Sequence, residues 1–204
     1  MTTRRSPIED WLEHSRPLLN DVGALQSLAL CDLSALPKIG IKGADAENFV
    51  ADQGIDVPRA IYESRQLADG GLIVRLAMDE FILESGIAGG TVSEVSANLD
   101  AADGKVFRVE RQEATFLLIG CRAIDVLAQS CGINFHETTA RRLVLTRVAG
   151  VNAGVFPETI ASQPAFRIWV DYTYALYLWE ALVQICEDLD GKLVDAGCIF
   201  PELR

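Results

Sequence analysis

The residues best able to do chemistry in this 204-residue chain are two histidines and five cysteines. His14 and His136 have no ligand-type neighbour at metal spacing, so no zinc site is expected. Cys31, Cys121, Cys131, Cys186 and Cys198 are odd in number and include no Cys-x-x-Cys pair, the usage of reduced cytoplasmic thiols. Cys121 falls at the start of a helical pattern, where a thiolate is favoured. Cys131 falls at its end, where the helix dipole opposes one. A redox sensor built on either thiol is one reading. His136-Glu137 invites acid–base work, but a lone histidine after an extended Ile-Asn-Phe also reads as a surface or capping residue. Asp79 and Glu80 are adjacent carboxylates that an extended segment points to opposite faces; Asp79 reads as a turn former. Gly86-Ile-Ala-Gly89-Gly90 lacks the Gly-x-Gly-x-x-Gly spacing and a phosphate lysine, and no Gly-x-Ser-x-Gly elbow is present. No catalytic, cofactor-binding or metal site is therefore expected on the chain.

Aromatic residues are the other concentration. Trp169, Tyr172, Tyr174, Tyr177 and Trp179 fall within eleven residues. Rings of this amphipathic kind are enriched at protein interfaces. Tyr172, Tyr174, Tyr177 and Trp179, with Trp11 near the N-terminus, are the candidate partner contacts, against the alternative of a wide buried stripe.

The elements that must carry these residues follow from periodicity. Ser6-Pro7-Ile8-Glu9 is a helix start, so residues 1–30 read as an arm with a short helix from Pro7 to about Ser15. Residues 31–204 read as a single α+β domain of two similar halves, about 31–104 and 105–204. Lys38–Gly43, Gly71–Ala77, Glu80–Glu84, Lys105–Glu110, Ala114–Ile119, Leu143–Val148 and Phe166–Val170 have strand patterns. Helical spacing covers Ala44–Asp52, Thr91–Leu99, Cys121–Ser130 and Thr173–Leu189, the last with Ala175, Leu178, Leu182, Ile185 and Leu189 on one stripe. A repeat runs through this order. Ile39-Gly-Ile-Lys-Gly43-Ala-Asp-Ala46 resembles Leu117-Leu-Ile-Gly120-Cys-Arg-Ala123, 77 residues on. Each copy reads strand, helix, two strands, helix, which favours two such units packed about a pseudo-twofold.

Composition limits the partners. Lys plus Arg number 18 and Asp plus Glu 29, a net charge of −11, which argues against nucleic acid and anionic membrane. No apolar run approaches the roughly 18 residues of a membrane span, and the N-terminal residues lack the apolar stretch of a secretion signal. A cytoplasmic protein is expected.

Three of these segments resemble a known family. Leu72-Ile-Val-Arg-Leu76 followed by Asp79-Glu80-Phe-Ile-Leu83 is similar to a hairpin of the folate-binding aminomethyltransferase fold. Gly120-Cys-Arg-Ala-Ile-Asp-Val-Leu-Ala128, then Cys131-Gly-Ile-Asn-Phe-His136, resembles the gamma subunit of heterotetrameric sarcosine oxidase, which has Gly-Pro-x-Ala-x-x-Leu-Leu-Ala and Cys-Pro-Leu-Asp-Leu-His there. Phe166-Arg-Ile-Trp-Val170 and Tyr174-Ala-Leu-Tyr-Leu-Trp-Glu-Ala-Leu182 are similar to its closing segment. The resemblance covers residues 30 to 190. Cys121 and Gly132 replace family prolines. Glu84-Ser-Gly-Ile-Ala-Gly-Gly-Thr91 stands where the aminomethyltransferases have Asn-Ala and then Lys-Asp. The resemblance implies an aminomethyltransferase-like fold and a non-catalytic subunit acting in assembly. Its partners would be alpha, beta and delta subunits of an enzyme that demethylates N-methyl amino acids. FAD, FMN, NAD, tetrahydrofolate and zinc would lie on those partners. A stand-alone folate or small-molecule binder is the alternative.

Overall fold

The computed structural model of the chain describes residues 4–15, 18–138 and 141–199. In chain order the elements are α1 (Glu9–His14), α2 (Ala24–Ser27), β1 (Ala29–Asp32), β2 (Lys38–Lys42), α3 (Ala46–Asp52), β3 (Ser64–Gln66), β4 (Leu72–Ala77), β5 (Glu80–Glu84), α4 (Thr91–Asp100), β6 (Phe107–Val109), β7 (Ala114–Ile119), α5 (Ala123–Ser130), β8 (Val144–Val148), β9 (Val151–Ile160), β10 (Gln163–Val170), α6 (Ala175–Asp188), β11 (Lys192–Leu193) and α7 (Ala196–Ile199). Among the described residues no helix is long and apolar enough to cross a membrane.

The chain divides into two compact units. The first unit holds residues 4–35, 113–138 and 144–199 of those described. Its sheet has the order β11-β1-β7-β10-β9-β8, and all neighbours except the parallel β1–β11 pair are antiparallel. One face of the sheet and the buried sides of α5 and α6 share a core around Phe116, Leu118, Val126, Leu127, Ile168, Leu178 and Leu182. The second unit holds Leu36–Gln112 and Arg141–Leu143. Its antiparallel sheet has the order β3-β4-β5-β2-β6. Ile39, Ile41, Ile73, Phe81 and Leu83 pack there with Val50 of α3 and Val92, Val95 and Leu99 of α4.

The expected α+β duplication is present, with a longer repeat than two strands. β2-α3-β3-β4-β5-α4-β6 in one unit matches β7-α5-β8-β9-β10-α6-β11 in the other. Each copy turns from strand to helix at a glycine with positive φ, Gly43 (+136°) and Gly120 (+116°). A Cβ on either would run into a backbone carbonyl, that of Lys105 or that of Ser27. Two residues on, equivalent donors bond the same carbonyls: Asp45 N–H to Lys105 O at 3.2 Å and Arg122 N–H to Ser27 O at 2.9 Å. The helices then begin at Ala46 and Ala123, both fully buried.

The boundaries differ from the expected ones. The described residues among the first 35 build into the first unit rather than forming an arm: Ile8, Leu28 and Leu30 are core residues, and β1 lies between β7 and β11. The second half does not begin at 105, because β6 stays in the second unit and the chain changes unit between Gln112 and Glu113. α1 starts close to where the capping pattern placed it. The Ser6 hydroxyl accepts from Ile8 N–H, but Glu9 pairs with Arg5 at 2.8 Å instead of reaching back. Met1 to Thr3, Arg16 and Pro17 of the expected arm lie outside the described residues.

Candidate partner interface

The residues weighed for chemistry each have a defined setting in the structure. Gly71, just before β4, and Gly86, in the loop between β5 and α4, allow close crossings: a Cβ on Gly71 would strike Glu84 O, and one on Gly86 would strike Asp69 O. The donors at the start of α4 are already satisfied, Thr91 N–H by Asp69 Oδ2 (3.3 Å) and Val92 N–H by Ser85 Oγ (3.2 Å). That leaves no ready anion site there. Glu84 is fully buried against Lys38, with Nζ to Oε2 at 3.0 Å.

Asp79 is exposed in the β4–β5 turn, while Glu80 accepts from Lys42 Nζ (2.9 Å) and Arg111 Nη2 (2.5 Å). The Lys42 hydrogen bond and the Arg111 charge hold the Glu80 carboxyl below its ordinary range. It is a structural anion rather than a proton donor near neutral pH. His136 is exposed in a short 3-10 turn closed by Asn134, whose side chain accepts His136 N–H and donates to Glu137 at 2.8 Å. Among the described residues no group of three or more His, Cys, Asp or Glu could hold a metal. Burial pushes the Cys186 thiol up to about 12 and that of Cys31 well above its ordinary value. Both are packing residues at neutral pH. Cys121 is exposed just before α5, and Cys131 caps its C-terminus, 3.5 Å from the Thr146 hydroxyl.

The five aromatic candidates separate into two environments. Trp179 is fully buried, its ring tilted on Phe116 at 5.1 Å and met edge-on by half-buried Trp11 at 5.7 Å. It offers nothing to a partner surface. The buried side of α6 is wider than the spacing of leucines implied, taking in Trp179, Val183 and Cys186 besides Ala175, Leu178 and Leu182. α6 packs against α5 as well as β1 and β11, and Trp11 adds a further wall.

Tyr172, Tyr174 and Tyr177 are 49%, 54% and 56% exposed, with Leu176 beside them. Four of the eleven exposed large apolar or aromatic residues among those described fall in these six positions, so the exposure is a patch rather than scatter. Hydrogen bonds fix the backbone of the turn and one of the rings. Asp171 caps the 3-10 turn Tyr172–Tyr174, accepting from Thr173 N–H at 2.9 Å and from its hydroxyl. Those bonds hold the Asp171 carboxyl below its ordinary range. Tyr177 O–H donates to Ala149 O at 3.1 Å. Aromatic rings held in one place lose little entropy when a partner covers them. Periodicity placed the tyrosines on a stripe beside the core; only the packing of α6 shows which rings lie outside.

Neither a protein-family model nor a curated protein sequence matches this chain. Solved structures do, two of which follow. The glycine cleavage system aminomethyltransferase T from Bartonella henselae has a TM-score of 0.73 at 17% identity, covering 95% of this chain. The chain spans only 60% of that protein's length. A chain of the heterotetrameric sarcosine oxidase from Corynebacterium sp. U-96, in complex with pyrrole 2-carboxylate, has a TM-score of 0.69 at 18% identity. There the likeness covers 92% of this chain and 97% of the other. The fold is aminomethyltransferase-like, as the sequence resemblance implied.

Proposed function

We propose that the chain is a non-catalytic, gamma-type subunit of a sarcosine oxidase-like flavoenzyme that demethylates N-methyl amino acids, and that its work is assembly. The observation that carries this reading is the match in extent: a chain of a heterotetrameric oxidase is covered almost end to end, an aminomethyltransferase only in part. Two features of the chain support it. The stretch from Glu84 to Thr91 has its polar groups committed internally, Glu84 to Lys38 and Ser85 to the start of α4, which suits a fold without folate chemistry there. The exposed tyrosine patch suits contact with a larger chain. In this reading alpha, beta and delta subunits carry FAD, FMN, NAD, tetrahydrofolate and zinc, and the assembly is cytoplasmic.

The test is native recovery of the tagged chain from its own cells, with mass spectrometry and a visible spectrum. A yellow eluate containing large flavin-bearing chains is expected. A colourless monomer overturns the reading. The likeness to aminomethyltransferase T over 95% of the chain favours one second reading, a stand-alone folate binder. In that case tetrahydrofolate at about 100 times its Kd raises stability by about 2.7 kcal/mol, visible as a higher Tm.

A further inference from the structure

The duplication exposes a gap in the second sheet. β1 and β6 hold the same place in their sheets, β1 beside β7 and β6 beside β2, although in chain order β6 corresponds to β11. Phe107, Arg108 and Val109 face Lys42, Ile41 and Gly40. Ala29, Leu30 and Cys31 face Ile119, Leu118 and Leu117, each 77 residues beyond its counterpart on β2. Ser27 and Lys105, two residues before each strand, accept the equivalent helix-start hydrogen bonds described above.

Beyond β1 the first unit has one more strand. β11 runs parallel to β1, with Lys192 N–H donating to Leu28 O and Val194 N–H to Leu30 O, both at 3.0 Å. Ala29 is fully buried there. Among the described residues no strand lies beyond β6 in the second sheet. α4 leads directly into β6, so this repeat has spent its last strand on the inner position, which the N-terminal β1 fills in the first unit. Phe107, the counterpart of Ala29, is left 62% exposed.

By the shared register, Val106 and Arg108 turn their carbonyls outward where Leu28 and Leu30 accept from β11. Exposed Lys105 and Glu110 flank β6, and its one charged side chain is tied back to α4. The Arg108 guanidinium is bonded to Ser96 O (3.0 Å) and Asp100 (2.7 Å) of α4, and β6 contains no proline. Outward backbone groups beside an exposed aromatic ring invite strand addition.

We propose that the outer edge of β6 receives one extended, apolar strand from a partner chain, added parallel to β6 as β11 is added to β1. The proposal rests on the reading of the chain as a subunit. The parallel direction selects the occupant. Two copies joined through β6 about a twofold axis would pair antiparallel, so a strand of a different chain fits the slot. That strand needs backbone N–H donors two residues apart and an apolar side chain to cover Phe107.

Hydrogen exchange in the complex recovered from the chain's own cells tests this, with Phe107→Lys and Arg108→Pro as variants. Proline suits a strand whose N–H faces outward and leaves the β2 ladder in place. In the complex the Arg108 amide is expected to exchange at least about tenfold more slowly, and each variant to lower recovery of the flavin-bearing chains about tenfold, with Tm of the free variant chain unchanged for Phe107→Lys. A complex that forms with Arg108 unprotected and Phe107→Lys fully competent overturns the edge proposal and leaves the subunit reading intact. Recovery of no flavin-bearing chain by the unaltered protein overturns both. Protection of Arg108 in a particle of twice the chain's mass, without other chains, overturns the partner strand in favour of a second copy.

Discussion

Trp179 and Tyr177 stand two positions apart on α6 in opposite environments, and their substitutions should separate accordingly. Trp179→Ala opens a cavity between Phe116 and Trp11 and costs about 3–5 kcal/mol. Trp179 Nε1 is buried without a hydrogen-bond partner among the described residues. Trp179→Phe should therefore cost clearly less, because removing an unsatisfied buried donor returns about 1–3 kcal/mol. Urea unfolding of the two variants checks this, and equal losses would contradict it. Spacing alone could not sort these rings: Trp179 is one step round the helix from Leu178, and whether that step is covered depends on α1, far away in sequence. Glu63 gives a second residue-scale prediction. Its carboxylate accepts Ala60 N–H (2.9 Å) and Arg59 N–H (2.7 Å) and pairs with Arg65, which lowers it from its ordinary value of 4.5 to about 2. A lowered carboxyl stabilises the fold above its unfolded-state pKa, and that stability is lost as pH falls from about 4.5 to about 2. The Tm advantage of the native chain over Glu63→Gln should be full at pH 7 and vanish near pH 2. An advantage independent of pH would sink the assignment.

At the scale of elements, the strand–glycine–helix unit was legible twice over because local chemistry writes it. Gly43 and Gly120 are needed for φ, Ala46 and Ala123 for close packing, and Val50 and Leu127 for the core. Gly120→Ala combines positive φ with a collision at Ser27 O and should destabilise by more than about 2 kcal/mol. Gly132→Ala, twelve residues on, meets no atom within 4 Å and has no positive φ, and should leave the unfolding midpoint within about 0.5 kcal/mol of the native chain. Similar losses for both would show that the tight turn is not the cause. What escaped sequence reading has physical reasons. β1 is four residues buried on both faces, so it has no alternation to detect. β9 is broken on paper by Gly154 and Pro157, yet Pro157 lies past Val155, where pairing with β8 ends, and no β8 bond needs its missing N–H. β6 and β7 look like a hairpin across Arg111-Gln112-Glu113 but join different sheets, a choice made by long-range pairing.

For the whole molecule, charge and exposed rings point to the same unit. Among the described residues the first unit carries 6 basic against 15 acidic side chains, a net of −9, and the second 10 against 13, a net of −3. The tyrosine patch lies in the more acidic unit, with Asp171 and Glu180 at its border. Self-association through this patch would bring like charges together, whereas a basic surface on a larger chain would gain both long-range attraction and Arg–aromatic contact. A Tyr172→Ala/Tyr174→Ala double variant removes two exposed rings that no core residue needs. Its unfolding free energy should stay within about 0.5 kcal/mol of the native chain, while its recovery of partner chains falls about tenfold. Raising salt from about 0.05 to about 0.5 M should weaken recovery of the native complex as well, since exposed charges are screened over that range. Co-purification of the variant beside the native chain at both salt concentrations reads the two effects together. Full recovery by the double variant would move the interface off α6, and recovery lost to the mutations but indifferent to salt would make the contact apolar without a charged border.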